Sequence, residues 1–258
     1  MKVLITGASR GIGRAAALKM AVPGAGLALC GSAHGDELDA VVAEARKAGA
    51  DAHALLGDLA DAEVPARLVA EAVEKLGGLD GVVANAGITS PAPLHELEIA
   101  DWQRVFDVNV RSVWLLAKAA RPHLIAARGA MVVISSMSGM QPYQNMGPYS
   151  SSKAAVSMLA RQLAQEWAPH GARVNVVAPG LFETGLTAST YADPEKRRAR
   201  EALVPLHRIG QPEREIAGLI AMLLGPDAAY TTGAELRVDG GLLDSIQTHL
   251  AGRPRTGS

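Results

Sequence analysis

The chain holds a single cysteine, Cys30, so no intrachain disulfide can form. Its place in an apolar run marks it as a buried small hydrophobe. Aromatic residues make up only 3% of the 258 residues, so the core has to be built from aliphatic side chains and alanine. An excess of one charge is also missing: 25 Lys and Arg stand against 26 Asp and Glu, a net charge of −1. That balance leaves no electrostatic footprint for nucleic acid or an anionic membrane as a partner. No apolar run reaches the roughly 18 residues of a membrane span. No signal-peptide pattern opens the chain, because Gly7 interrupts the N-terminal apolar run. The seven histidines are scattered with no pair at ligand spacing, so no catalytic metal is expected. These absences together predict a soluble cytoplasmic protein.

What is present is an alternation of short apolar runs and longer amphipathic ones. Strands are predicted at Lys2–Thr6, Gly26–Cys30, Ala52–Leu56, Gly81–Ala84, Met131–Ile134, Arg173–Ala178 and Ala234–Val238. Helices are predicted at Arg14–Ala21, Asp36–Ala48, Asp61–Leu76 with Asp61 as its cap, Asp101–Ala127, Lys153–Ala168 and Glu213–Leu224. Such alternation means an α/β fold, a doubly wound parallel sheet of about seven strands with helices on both faces. No linker or repeat divides the chain, so residues 1–258 are expected to form a single domain. The long connection Leu181–Gln211 reads as a functional flap. Its basic run Lys196-Arg197-Arg198-Ala199-Arg200 reads as a solvated helix face, and the tail Arg253–Ser258 as mobile.

The first strand runs directly into Gly7-Ala8-Ser9-Arg10-Gly11-Ile12-Gly13 and then into a helix. A strand, a glycine turn and a helix N-terminus make an anion site, because unpaired N–H groups and the helix dipole favour a phosphate. The spacing is G-x3-G-x-G, not the G-x-G-x-x-G dinucleotide fingerprint. Where dinucleotide folds place an acid on the ribose, this chain has Gly31-Ser32, which leaves room for a 2′-phosphate. Arg10 is available to pair with that phosphate, with His34 a weak substitute. Asp58 is placed to accept from an adenine amino group or to shape its turn. Asn85-Ala86-Gly87 offers small residues for close ligand approach. Gly7, Asp58, Asn85, Ser136 and Pro179 all fall at strand carboxyl ends, where open α/β sheets bind ligands.

Tyr149 and Lys153 stand four residues apart, which on a helix puts both on one face. A nearby ammonium is expected to lower the phenol pKa and ready it for proton transfer. Ser136 follows an apolar strand, where a hydroxyl can donate to a carbonyl oxygen or a developing alkoxide. Asn109 inside an apolar helix needs a partner. It reads as a satisfied structural amide or, more sharply, as a holder of water.

In order and spacing these residues resemble the short-chain dehydrogenases/reductases, from Val3 to Gly241. Thr6-Gly7-Ala8-Ser9-Arg10-Gly11-Ile12-Gly13 is similar to that family's cofactor turn, Asp58-Leu59 to its adenine contact, and Ala84-Asn85-Ala86-Gly87 to its N-N-A-G motif with the first Asn replaced. Asn109, Ser136, Tyr149 and Lys153 match its catalytic four. Pro179-Gly180 with Thr184 matches its carboxamide contact, and Val238-Asp239-Gly240-Gly241 its closing motif.

The resemblance implies a Rossmann-type fold and an NAD(P)-dependent oxidoreductase moving hydride between nicotinamide and a ketone or secondary alcohol. Tyr149 would act as general acid or base, Lys153 would lower its pKa and bind the ribose, Ser136 would hold the substrate oxygen, and Asn109 would fix a water. Ser32 and Phe182 complete the implied cofactor contacts, with NADP favoured over NAD. The substrate is expected to be a sugar, hydroxy-acid or 3-oxoacyl derivative, and the assembly a homotetramer. The competing reading is a dinucleotide-sensing regulator without turnover.

Overall fold

The computed structural model describes residues 1–32, 35–185 and 187–245. His34 and the tail Arg253–Ser258 lie outside the described residues. Seven strands form one sheet: β1 (Lys2–Thr6), β2 (Gly26–Gly31), β3 (Asp51–Leu56), β4 (Gly81–Ala84), β5 (Ala130–Ile134), β6 (Arg173–Pro179) and β7 (Glu235–Val238). All neighbours are parallel, in the order β3-β2-β1-β4-β5-β6-β7. The order reverses direction between β1 and β4, and that crevice is where doubly wound sheets take ligands.

Burial explains why the strands are apolar throughout. β2, β4 and β5 are buried at every position, as strands covered on both faces must be, whereas the edge strand β3 alternates. One apolar cluster packs α3 (Val64–Leu76), α5 (Ser112–Ala127) and α6 (Tyr149–Trp167) on one face of the sheet. A second packs α1 (Gly11–Met20), α2 (Asp36–Lys47) and α10 (Ala217–Leu224) on the other. Trp167 is the one aromatic among the largest fully buried side chains, and Leu, Ile, Val and Ala fill most of the rest. Cys30 is buried too, and burial pushes its thiol up to about 12, which makes it chemically inert at neutral pH.

Several elements differ from the sequence reading, each for a local reason. Asp61 does not cap a helix; its carboxylate accepts from Glu63 N (3.0 Å) in a side-chain turn, and α3 begins only at Val64-Pro65. The predicted helix Asp101–Ala127 is two helices, α4 (Ile99–Phe106) and α5, joined by a π-helical turn at Asp107–Arg111. The last predicted helix is broken at Ile216 into α9 (Pro212–Glu215) and α10. The flap carries α7 (Ala188–Tyr191) and α8 (Pro194–Leu203), the latter capped by Asp193. A parallel bridge between Phe182 and Gly210 closes the base of the flap. Among the described residues no helix is long and apolar enough to cross a membrane.

Candidate active site

The glycine turn is held open by its neighbours. Gly7 has φ +65, a backbone conformation that strains any residue with a Cβ. A Cβ on Gly13 would stand 2.2 Å from the Gly7 carbonyl oxygen and 2.6 Å from Asn85 Nδ2. The first turn of α1 therefore lies directly against the end of β1. No side chain caps α1 and no acid stands in its first turn, so its leading N–H groups are left for an anion. That open helix end, with the glycine cradle, fits a dinucleotide pyrophosphate.

Thr6 organises this corner, a role that sequence reasoning missed. Its hydroxyl accepts from Asn85 N (3.0 Å) and Ala86 N (3.1 Å). Asn85 Nδ2 in turn donates to Thr6 O (2.9 Å) and Gly7 O (3.0 Å). Asn85 thus ties β4 to the turn rather than holding its amide hydrogens free for a ligand. A Thr6→Val change keeps the shape and orphans two N–H groups, which costs about 1–3 kcal/mol for each group left unpaired. Chemical denaturation should show that loss; an unchanged midpoint would mean that water replaces the hydroxyl.

Around the turn, Ser9 and Ile12 are half-buried, and Arg10 is exposed with its side chain lying over Gly185. Ser32 is exposed at the end of β2. Asp58 accepts from Ala60 N (3.0 Å) and pairs with Arg104 (3.0 Å), and both hold its carboxyl below the usual range. Leu59 is buried in the core. Thr184, at the root of the flap, sits over Gly11, 3.2 Å from where a Cβ would stand. Pro179 ends β6, Gly180 N donates to Val238 O (2.8 Å), and Phe182 is buried against Gly210.

On the other side of the crevice, Pro148 starts α6 at Tyr149 and puts Lys153 one turn later. Ser136 leaves β5 extended and its hydroxyl accepts from Ser138 N (3.1 Å). The following turn can touch α6 because residue 139 is glycine: a Cβ there would lie 2.8 Å from the Lys153 carbonyl carbon. Tyr149, Ser136 and Lys153 are thereby brought together. Ser136 stands near enough to the Tyr149 phenol to pull its pKa down, but burial dominates and holds the phenol above its ordinary value.

The expectation that Lys153 lowers the phenol pKa is not met in this geometry. Its ammonium sits 5.8 Å from the Tyr149 ring centroid and donates to Ile134 O (2.8 Å). Burial brings Lys153 itself down to about 8. Beside it, Gly87 faces both Lys153 Nζ and Asn109 Oδ1, each 3.3 Å from a Cβ built there.

Asn109 lies in the π turn, almost wholly buried. Its Oδ1 accepts from Ile88 N (2.9 Å), and Nδ2 donates to Ile88 O and Ser152 Oγ (both 3.0 Å). The side-chain amide is a satisfied structural clamp, with neither hydrogen left for a water. A further network, also unseen in the sequence, runs beneath Lys153. Ser135 Oγ donates to Lys153 O (3.0 Å), and Ser157 Oγ lies 2.7 Å from both Ser135 Oγ and Glu235 Oε1.

This geometry has counterparts among known proteins. Residues 7–243 match a family model described as enoyl-(acyl carrier protein) reductase. Glucose 1-dehydrogenase of Gluconobacter oxydans is 40% identical over 244 residues, 93% of this chain and 91% of that one. A short-chain type dehydrogenase/reductase from Mycobacterium marinum superposes with a TM-score of 0.85 at 35% identity, covering 93% and 94% of the two chains. The chain belongs to the short-chain dehydrogenase/reductase family. The RhlG/NADP active-site complex of Pseudomonas aeruginosa is also similar, with a TM-score of 0.86, 32% identity and 93% and 95% coverage. As a short-chain dehydrogenase/reductase, the protein is an NAD(P)-dependent oxidoreductase. Among the described residues no group of three His, Cys, Asp or Glu is placed to hold a metal ion.

Proposed function

We propose that this oxidoreductase reduces a ketone, or oxidises the matching secondary alcohol, with Tyr149 as the proton-transferring group. The observation that carries the reading is the meeting of Tyr149, Ser136 and Lys153 at the carboxyl end of β5, on the ligand-binding edge of the sheet. A bound nicotinamide supplies or accepts the hydride. The Gly7–Gly13 turn and the open end of α1 hold the pyrophosphate, Asp58 and Leu59 border the adenine, and Lys153 takes the nicotinamide ribose. Asn85, Ala86, Gly87, Pro179, Gly180, Phe182 and Thr184 line the remainder.

In reduction the phenol donates to the nascent alkoxide while Ser136 holds that oxygen. Desolvation keeps the phenol protonated through the neutral range, which suits a donor. Oxidation needs the phenolate, so its rate should rise as pH rises. A screen of ketones and secondary alcohols, followed by cofactor absorbance, tests the assignment. Sugars and hydroxy acids head the panel, with 3-oxoacyl thioesters behind them. Cofactor binding without turnover across the whole panel would favour a regulatory sensor instead.

NADP is the preferred cofactor in this reading. The end of β2 carries Gly31-Ser32 with no acid to repel a 2′-phosphate, and Arg10 is exposed nearby in the turn. The expected kcat/KM is about tenfold or more higher with NADPH than with NADH, the worth of one charge-assisted contact. A preference for NADH would contradict it.

A homotetramer is the proposed assembly. Trp114 and Met158 are 48% and 59% exposed, and Phe106, Val110, Trp114 and Leu159 line one apolar groove across the α4, α5 and α6 face. Such a patch marks an interaction surface. Sedimentation should give a tetramer that Trp114→Glu breaks apart; a monomeric wild type would overturn this.

A further inference from the structure

The head of α6 carries Tyr149 but has no side-chain cap. Its orientation has to be set by contacts from outside the helix. The chain reaches Tyr149 through two residues in the left-handed region, Asn145 (φ +62) and Gly147 (φ +53), and Tyr149 N then donates to Met146 O (3.2 Å). Asparagine tolerates that conformation because its short polar side chain can bond locally. Gly147 is under a second constraint. Its N–H donates to Ala92 O (3.0 Å), and a Cβ built on it would stand 2.2 Å from Ser90 O and 3.5 Å from Leu97 Cδ1. Two stretches of main chain cross there with no room for a side chain between them.

The stretch that Gly147 crosses, residues 88–97, follows β4 and the Asn85-Ala86-Gly87 end of the cofactor crevice. The same stretch holds the start of α6 from a second side. Asn109 clamps the N–H and the carbonyl of Ile88 and donates to Ser152 Oγ, which donates in turn to Tyr149 O (2.7 Å). Tyr149 is thus bracketed, at positions 147 and 152, by contacts that lead back to one loop. Lys153 is held differently. Its ammonium donates to Ile134 O (2.8 Å) and its carbonyl accepts from Ser135 Oγ (3.0 Å), both at the end of β5. A shift at residue 147 therefore reaches the tyrosine and spares the lysine.

We infer that Gly147 is a positioning residue for the reaction: its close crossing with residues 90–92 fixes where the Tyr149 phenol stands. The inference rests on the redox reading of the site given above. Any Cβ at position 147 meets Ser90 O, a backbone atom that cannot rotate away. Ordinary contact begins at 3.4 Å, so the two stretches would have to part by roughly 1 Å. A misplacement of about 1 Å at a reacting group costs on the order of 10² in rate.

The test compares Gly147→Ala with Gly24→Ala. Gly24 has φ +82 and nothing within 4 Å of its Cβ position, so its variant carries the backbone strain without the crossing. On a ketone that the wild type reduces, Gly147→Ala should lose roughly 10²-fold in kcat per bound cofactor. Its NADPH affinity should stay as in the wild type, and Gly24→Ala should keep the wild-type kcat. An unchanged kcat in Gly147→Ala would overturn the inference. So would a joint fall in kcat and affinity, or an equal loss in Gly24→Ala. If the wild type turns over no substrate, the redox reading fails on its own, and amide hydrogen exchange decides the positioning. In the wild type the Gly147, Tyr149 and Ser152 amides should exchange in step, as one cooperative unit does. In Gly147→Ala all three should exchange about tenfold or more faster, while the Gly7–Gly13 turn keeps its rates. Unchanged rates in the variant would overturn the inference. Should Gly147→Ala fail to fold, the wild-type exchange decides alone: exchange in step supports the inference, and a Gly147 amide that exchanges freely beside a protected Tyr149 amide overturns it.

Discussion

Tyr149→Phe is expected to lower kcat by roughly 10²–10⁴-fold, the range contributed by a positioned acid or base, while cofactor affinity stays as in the wild type. The substitution removes one oxygen and keeps the ring, so the packing at the head of α6 is preserved. What disappears is the proton donor and the phenol oxygen that Ser136 influences. Lys153 keeps its bond to Ile134 O, so the ribose side of the pocket is untouched. Steady-state kinetics with a ketone found by the screen, beside fluorescence titration of the cofactor, separates the two effects. If turnover survives, another group moves the proton and Tyr149 only shapes the site. If turnover and cofactor binding fall together, the phenol is structural.

The second large effect is expected at Gly13. An added methyl would lie 2.2 Å from Gly7 O and 2.6 Å from Asn85 Nδ2. Gly7 O is backbone, and Asn85 is held by its two bonds to the turn. Gly13→Ala therefore has to push the first turn of α1 away from β1. Alanine gains about 1 kcal/mol over glycine in a helix, but overpacking costs about 1–3 kcal/mol, so the clash prevails. The larger consequence is functional: a displacement of about 1 Å at a positioning element costs on the order of 10² in rate, and a similar fall is expected in NADPH affinity. Gly218→Ala in α10 is the control, because nothing lies within 4 Å of its Cβ position; helix propensity alone acts there, so stability should hold or rise. Calorimetric titration with NADPH reads both variants. Unchanged affinity in Gly13→Ala would mean that the turn does not form the pyrophosphate cradle.

The strands were legible because a strand covered on both faces must be apolar at nearly every position; each of the seven predicted runs falls within a residue or so of an observed strand. The placement of the glycine turn and of the Tyr149–Lys153 pair was legible for a related reason, since a close helix–strand junction needs glycine and an i, i+4 spacing fixes two side chains on one helix face. The π turn was not, because its residues Asp107 to Arg111 fit an α-helical pattern equally well. The one hint was Asn109, an amide that required partners, and it found them in Ile88 and Ser152. Thr6 was hidden because a threonine at a strand end is common. Its two acceptor bonds come from residues 79 and 80 positions away. The depressed Lys153 and raised Tyr149 were hidden too, since spacing along a helix gives proximity and leaves out desolvation.

The most direct measurement of the central claim is a crystal structure of the protein with bound NADP. The account predicts the pyrophosphate on the Gly7–Gly13 turn at the head of α1, and the nicotinamide ring beside Tyr149 Oη with Lys153 Nζ bonded to its ribose. A nicotinamide held away from Tyr149, or a dinucleotide bound outside the crevice between β1 and β4, would contradict it.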